Sequence, residues 1–216
     1  MQPIILTIPV VVSAGITIAA DYRGARRVVY VFKPLTTALI LLAAVLAPAP
    51  SDPLYQALIV AGLIFSLAGD VFLMLPGDRF LPGLLSFLLA HVCYISAFVA
   101  GAGLRVSWWI APCAVCFIAL MRILWPRAGR MQVPVLIYGL VIITMLWQAV
   151  ERASAPPITS ASPAGATLAA LGAALFVLSD SALAYNRFVQ RFRAAQALVL
   201  GAYWAGQLLI ALSVSL

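Results

Sequence analysis

The 216-residue chain is 65% hydrophobic and 9% charged, with a mean hydropathy of +1.11, which leaves too little polar surface for a soluble domain. Its formal charge of +7 comes from basic residues scattered through short connections between apolar runs, a pattern that fits lipid headgroups and membrane topology and excludes a nucleic-acid-binding face. A spanning helix takes roughly 20 residues, so about eight spans fill the chain as a single transmembrane domain over 1–216.

The first apolar run, near 3–20, has no basic segment ahead of it and is followed by Arg23, Arg26 and Arg27. It reads as a membrane helix and not as a signal peptide. Further spans are expected near 29–47, 54–75, 81–100, 107–124, 133–150, 165–185 and 195–214. Pro48-Ala49-Pro50, Pro76-Gly77-Asp78, Gly101-Ala102-Gly103, Pro126 and Pro156-Pro157 divide them, since proline and glycine end helices. The longest connection, about 151–164, is rich in Ser, Ala and Pro. The expected fold is therefore all-α: a polytopic membrane helix bundle of about eight transmembrane helices, with both termini on the same side.

With that topology, one face carries Arg23, Arg26, Arg27, Arg79, Arg127, Arg130, Arg187, Arg191 and Arg193, and the other only Arg105 and Arg152. Basic loops stay cytoplasmic, so the termini are expected outside. Trp108 and Trp109, beside Arg105, fit an interfacial aromatic belt on the outer face. Cys113 and Cys116 have the spacing of a thiol pair, but cysteines in apolar runs ordinarily serve as small fillers.

A carboxylate within hydrocarbon is costly and normally has a partner or a job. Only Asp70 and Asp180 lie within spans, at similar depth toward the Arg-rich face; Asp21, Asp52, Asp78 and Glu151 fall at helix ends or in loops, where solvation accounts for them. Other polar residues recur at helical spacing, namely Lys33 with Thr36 and Thr37, His91 with Tyr94, and Gln196 with Tyr203 and Gln207, so several helices turn a polar stripe inward. Each has a plainer reading as well: Lys33 can snorkel to the interface, and His91, Tyr94, Tyr138, Tyr203 and Gln207 can serve as interhelical hydrogen-bonding glue. A single histidine excludes a His-rich zinc site, and no metal or other cofactor is expected, although Asp70, His91 and Asp180 could in principle form a two-carboxylate, one-histidine set. Asp70 and Asp180 are each preceded by a small residue, Gly69 or Ser179, and followed by an Arg-Phe pair, Arg79-Phe80 or Arg187-Phe188, as four-plus-four repeats would give.

Phe32-Lys33-Pro34, Gly69-Asp70, the run from Gly83 through Phe87 and His91 to Tyr94, Tyr138, the run from Gly172 through Phe176, Ser179-Asp180 and Asn186 to Phe188, and Tyr203 with Gln207 together resemble the YhhN-like lysoplasmalogenase family of membrane proteins, across helices 2 to 8. That resemblance implies a hydrolase of lipid metabolism in a bacterial inner membrane. It would cleave the vinyl-ether bond of a lysoplasmalogen to a fatty aldehyde and glycerophosphoethanolamine or glycerophosphocholine. It also implies that Asp70 and Asp180 are the catalytic acids. Lys33, His91, Tyr94, Tyr138, Asn186, Tyr203 and Gln207 would then meet the lysophospholipid or its water, with the cytoplasmic arginines at the headgroup.

The residues suit that chemistry independently. Protonating the β-carbon of a vinyl ether creates an oxocarbenium ion, so one carboxyl must bring a proton and a second must carry negative charge, as in glycoside hydrolysis. Lys33 near one acid would keep it charged. The competing reading is a small-molecule or proton-coupled transporter in which the acids and Lys33 carry ions, and that reading requires a polar path from face to face.

Overall fold

A computed structural model of the chain describes residues 2–48, 52–100, 103–154 and 162–215. Among them are eight helices long and apolar enough to cross a membrane: α1 (Gln2–Tyr22), α2 (Arg26–Val45), α3 (Pro53–Met74), α4 (Phe80–Val99), α5 (Ile110–Leu124, which reaches spanning length with the 3-10 turn Trp125–Arg127), α6 (Gln132–Ser154), α7 (Pro163–Phe188) and α8 (Ala195–Leu212). The all-helical membrane bundle expected from the composition is the fold found.

Local chemistry explains several boundaries. Asp52 caps α3 by accepting from the backbone N–H groups of Leu54 (2.9 Å) and Tyr55 (3.2 Å). Ser162 does the same for α7 through Gly165 N–H at 3.0 Å. Each cap is followed by a proline, which lacks an N–H where the helix has no acceptor for one. Gly24 and Gly77, with φ of 70° and 89°, make the tight turns after α1 and α3, a conformation that a side chain opposes. Pro34 lies inside α2 without ending it. The Pro48-Ala49-Pro50, Gly101-Ala102 and Pro156-Pro157 breakers fall wholly or partly outside the described residues.

The bounds of α5, α6 and α7 differ from expectation. α5 starts at Ile110 instead of near 107 because Ser107 and Trp108 form a turn; the Trp108 and Trp109 rings stack there at 3.9 Å. α6 continues to Ser154, so Glu151 is 5% exposed, which corrects its reading as a solvated loop acid. Its carboxylate accepts from Ser107 N–H and Trp147 Nε1, each at 2.8 Å. Those bonds explain the burial, because a satisfied carboxylate can leave water. α7 extends to Phe188, so Asp180 lies about two turns before its helix end whereas Asp70 lies about one turn before the end of α3.

α3 packs along α4 and α7 along α8, and α8 is the most enclosed helix. The α7–α8 contact is close because two glycines meet: an added Cβ at Gly172 would stand 2.6 Å from Gly206 O. At one end of the bundle the basic turns are tied together. The Tyr22 hydroxyl donates to Arg193 O at 2.9 Å, and Arg187 pairs with Asp78 at 3.0 Å. The two Arg-Phe pairs also converge, with Phe80 edge-on to Phe188 at 5.9 Å and the Arg187 guanidinium 3.9 Å above the Phe80 ring. At the opposite end, Arg152 lies 4.0 Å over the Tyr55 ring, whose hydroxyl meets Ser213 Oγ at 2.7 Å.

Candidate active site

Asp70, on α3, is 1% exposed and bonded on both oxygens. Lys33 Nζ of α2 lies 3.4 Å from Oδ1, while Thr37 Oγ1 and the Tyr203 hydroxyl donate to Oδ2 at 2.5 and 2.8 Å. Trp204 Nε1 in turn donates to Thr37 Oγ1 at 3.1 Å, which orients the threonine hydrogen toward the carboxylate. Lys33 and Thr37 are one turn apart on α2, so the helical period brings both to one acid. Burial removes water from this carboxylate, and an ammonium with two hydroxyl donors takes its place.

Asp180, on α7, is less enclosed, and the bond found to its side chain comes from the Tyr138 hydroxyl of α6. The preceding Ser179 donates to Val199 O at 2.9 Å, which holds α7 against α8 at this level.

Both aspartates line one cavity of about 820 Å³ that opens among the basic turns. Lys33, Asn186, Tyr203 and Gln196 also line it, with Arg187, Arg191 and Arg193 at its mouth. A neighbouring apolar slot of about 50 Å³ runs between Leu120, Met121 and Leu124 of α5 and Tyr138, Gly139 and Ile142 of α6. The two spaces share Leu73, Phe80, Phe87, Asp180, Leu183 and Phe188 as walls. Asp180 therefore sits where a polar chamber meets an apolar one.

Tyr138 lines the slot. Asn186 Oδ1 accepts from Phe192 N–H at 3.2 Å and so braces the α7–α8 turn. Tyr94 and Gln207 lie behind the cavity, in a buried network where the Tyr94 hydroxyl donates to Gln207 Oε1 (2.7 Å) and Gln207 Nε2 to Ser66 Oγ (2.8 Å). His91 is fully buried, edge-on to Phe176 at 4.6 Å and Tyr138 at 5.3 Å, with neither ring nitrogen hydrogen-bonded among the described residues. Asp70, His91 and Asp180 do not converge on a metal-sized site among the described residues. Cys113 is buried and Cys116 exposed, so the two do not share an environment.

Sequence reading overlooked Ser66 and Trp204. Ser66 could have been found from its place one turn before Asp70, on the same helix face. Trp204 carries no such signal, because only the crossing of α8 over α2 brings its indole to Thr37.

Fold and site together define a polytopic membrane protein with two acids lining a chamber at one end of its helix bundle. The sequence model of the YhhN family matches residues 28–214, and the chain belongs to that family. The membrane protein YhhN of Escherichia coli O6:H1 is 32% identical over 214 residues, which cover 97% of this chain and 98% of that protein. Lysoplasmalogenase TMEM86B of Homo sapiens is 32% identical over 162 residues, covering 74% of this chain and 64% of its own. Lysoplasmalogenase TMEM86A of Bos taurus is 33% identical over 160 residues, covering 72% and 64%. The chain thus aligns with a little under two thirds of each of these two lysoplasmalogenases. No solved structure matched the chain.

Proposed function

We propose that the protein is a lysoplasmalogenase-like hydrolase that cleaves the vinyl-ether bond of a single-chain ether phospholipid. The observation that carries this reading is the position of Asp180 at the junction of the polar cavity and the apolar slot, with Asp70 in the same cavity wall. A lysolipid has that polarity, with a phosphate-bearing end, an ether at the boundary and one long chain. The kinship with proteins named lysoplasmalogenase supports the same substrate class.

The surroundings of the acids favour different roles for them. Asp70 faces an ammonium and two hydroxyl donors and carries the negative charge that stabilises the cation. Asp180 has no cation partner among the described residues and supplies the proton. It protonates the β-carbon of the vinyl ether, and the ether oxygen shares its electrons to give an oxocarbenium ion opposite the Asp70 carboxylate. Water adds at the carbon bonded to that oxygen while its proton returns to Asp180. The hemiacetal then breaks its bond to the glycerol oxygen, which takes the hydroxyl proton, and releases aldehyde and glycerophospho-alcohol. Lys33, Tyr138 and Tyr203 hold the two carboxyl groups in place, and the cavity opens to the cytoplasmic leaflet.

The test is aldehyde release by purified protein from an alkenyl lysophospholipid, with a diacyl phospholipid as control. Asp70→Asn and Asp180→Asn should each abolish most turnover in monodisperse protein, and the double variant should lose little more, because groups that act as a unit fail together. Full activity in either folded single variant removes that aspartate from the mechanism. A wild type inactive on every vinyl ether while showing proton-coupled flux establishes the carrier instead.

A further inference from the structure

Seven charged side chains line the cavity: Asp21, Lys33, Asp70, Asp180, Arg187, Arg191 and Arg193. Most are already committed. Lys33 pairs with Asp70, and Arg187 reaches both oxygens of Asp78 at 3.0 Å while lying over the Phe80 ring. Asp180 takes the Tyr138 hydroxyl. Asp21, Arg191 and Arg193 are left, with no side-chain hydrogen bond or ion pair among the described residues.

Bonds between side chains and backbone tie together the segments that carry these three. Asp21 precedes Tyr22, whose hydroxyl bonds Arg193 O at 2.9 Å, so the end of α1 is fastened to the α7–α8 turn. Asn186 braces the same turn through Phe192 N–H, between the two arginines in sequence. On the other side, Gly24 N–H donates to Asp21 O at 3.0 Å and fixes the α1–α2 turn. The carboxylate and guanidinium groups thus share one mouth without closing on each other. Opposite charges that line one cavity without pairing leave both poles open to a ligand that carries the complementary pair.

We infer that the cavity mouth is a two-pole subsite for a zwitterionic headgroup, in which Arg191 and Arg193 take the phosphodiester and Asp21 takes the ammonium. The inference rests on the proposed lysolipid substrate. Guanidinium groups match the paired oxygens of a phosphodiester, and a carboxylate supplies the counter-charge that an alkylammonium needs. The anionic end lies nearer the polar mouth than Asp180, as an ether at the chamber boundary requires.

The test uses saturated ether lysolipids, which this chemistry cannot cleave, so binding is read whether or not aldehyde release succeeds. Isothermal titration calorimetry in nanodiscs compares three heads on one alkyl chain: phosphoethanolamine, phosphoglycerol and plain glycerol. Wild type should bind the phosphoethanolamine ether best. Asp21→Asn should erase its advantage over the phosphoglycerol ether, about fivefold, while the paired Arg191→Gln and Arg193→Gln change should erase about tenfold of the advantage of both phosphate ligands over plain glycerol. If Asp21→Asn does not fold, Asp21→Lys should invert the ranking of the two phosphate heads. Equal weakening of all three ligands by either variant, or an unchanged ranking, overturns the inference. Failed aldehyde release with an intact ranking overturns the catalytic reading and leaves the headgroup site standing.

Discussion

Lys33 of α2 stands 3.4 Å from Asp70 of α3, and both are nearly excluded from solvent, with side-chain exposures of 11% and 2%. Removing one member of such a pair strands the other charge, which costs more than removing both. Lys33→Met should therefore lower both thermal stability and kcat/KM, the latter at least about tenfold, or roughly 1.4 kcal/mol of barrier. Adding Asp70→Asn should restore much of the thermal midpoint and none of the activity. Wild-type kinetics in folded Lys33→Met protein would leave the lysine as an interface anchor.

The tyrosines separate site from scaffold. Tyr203 donates to the charged Asp70 and Tyr138 to Asp180, which becomes charged as it gives up its proton; a hydrogen bond to a charged group contributes about 1.5–3 kcal/mol. Tyr203→Phe and Tyr138→Phe should each reduce kcat/KM by about ten- to a hundredfold. Tyr94→Phe loses a bond to Gln207 behind the cavity, so it should cost about 1 kcal/mol of stability and leave turnover within about threefold. Steady-state kinetics beside thermal scans distinguish the two outcomes; equal catalytic losses in all three would put Tyr94 at the substrate.

Gly172 and Gly206 let α7 and α8 touch backbone to backbone, with an added Cβ meeting the partner's carbonyl oxygen at 2.6 and 2.7 Å. A carbonyl in a packed helix cannot swing aside as a side chain can. Gly172→Ala and Gly206→Ala should each destabilise the detergent-solubilised protein by about 1–3 kcal/mol. Gly15→Ala, where no atom lies within 4 Å of the added Cβ, serves as the control. An unchanged melting midpoint in both crossing variants contradicts the tight contact.

Sidedness can be read by cysteine labelling in intact cells, in a background where Cys93, Cys113 and Cys116 are replaced. Arg79 and Val106 are exposed on opposite ends of α4 and its following turn. With the Arg-rich turns cytoplasmic, an impermeant maleimide should label Val106→Cys from outside and spare Arg79→Cys. The reverse pattern moves the cavity mouth to the outer leaflet.

The sequence by itself determined the fold class and singled out the two acids within the spans. Eight apolar runs of spanning length admit little but a helix bundle, because lipid leaves backbone polar groups no partners outside a helix or a closed barrel. Asp70 and Asp180 stood out because a carboxylate is conspicuous in hydrocarbon, and the Lys33–Thr37 stripe followed from helical periodicity alone. What the tertiary structure decided depends on contacts between residues far apart in the chain. It tied Lys33, Thr37 and Tyr203 to Asp70 and Tyr138 to Asp180, and left His91, Tyr94 and Gln207 behind the cavity. It also buried Glu151, once a longer α6 met the turn at Ser107. Periodicity tells which face of a helix is polar. Which helix that face meets is set by packing, here by glycine contacts such as Gly172 against Gly206 that fix how closely the helices approach.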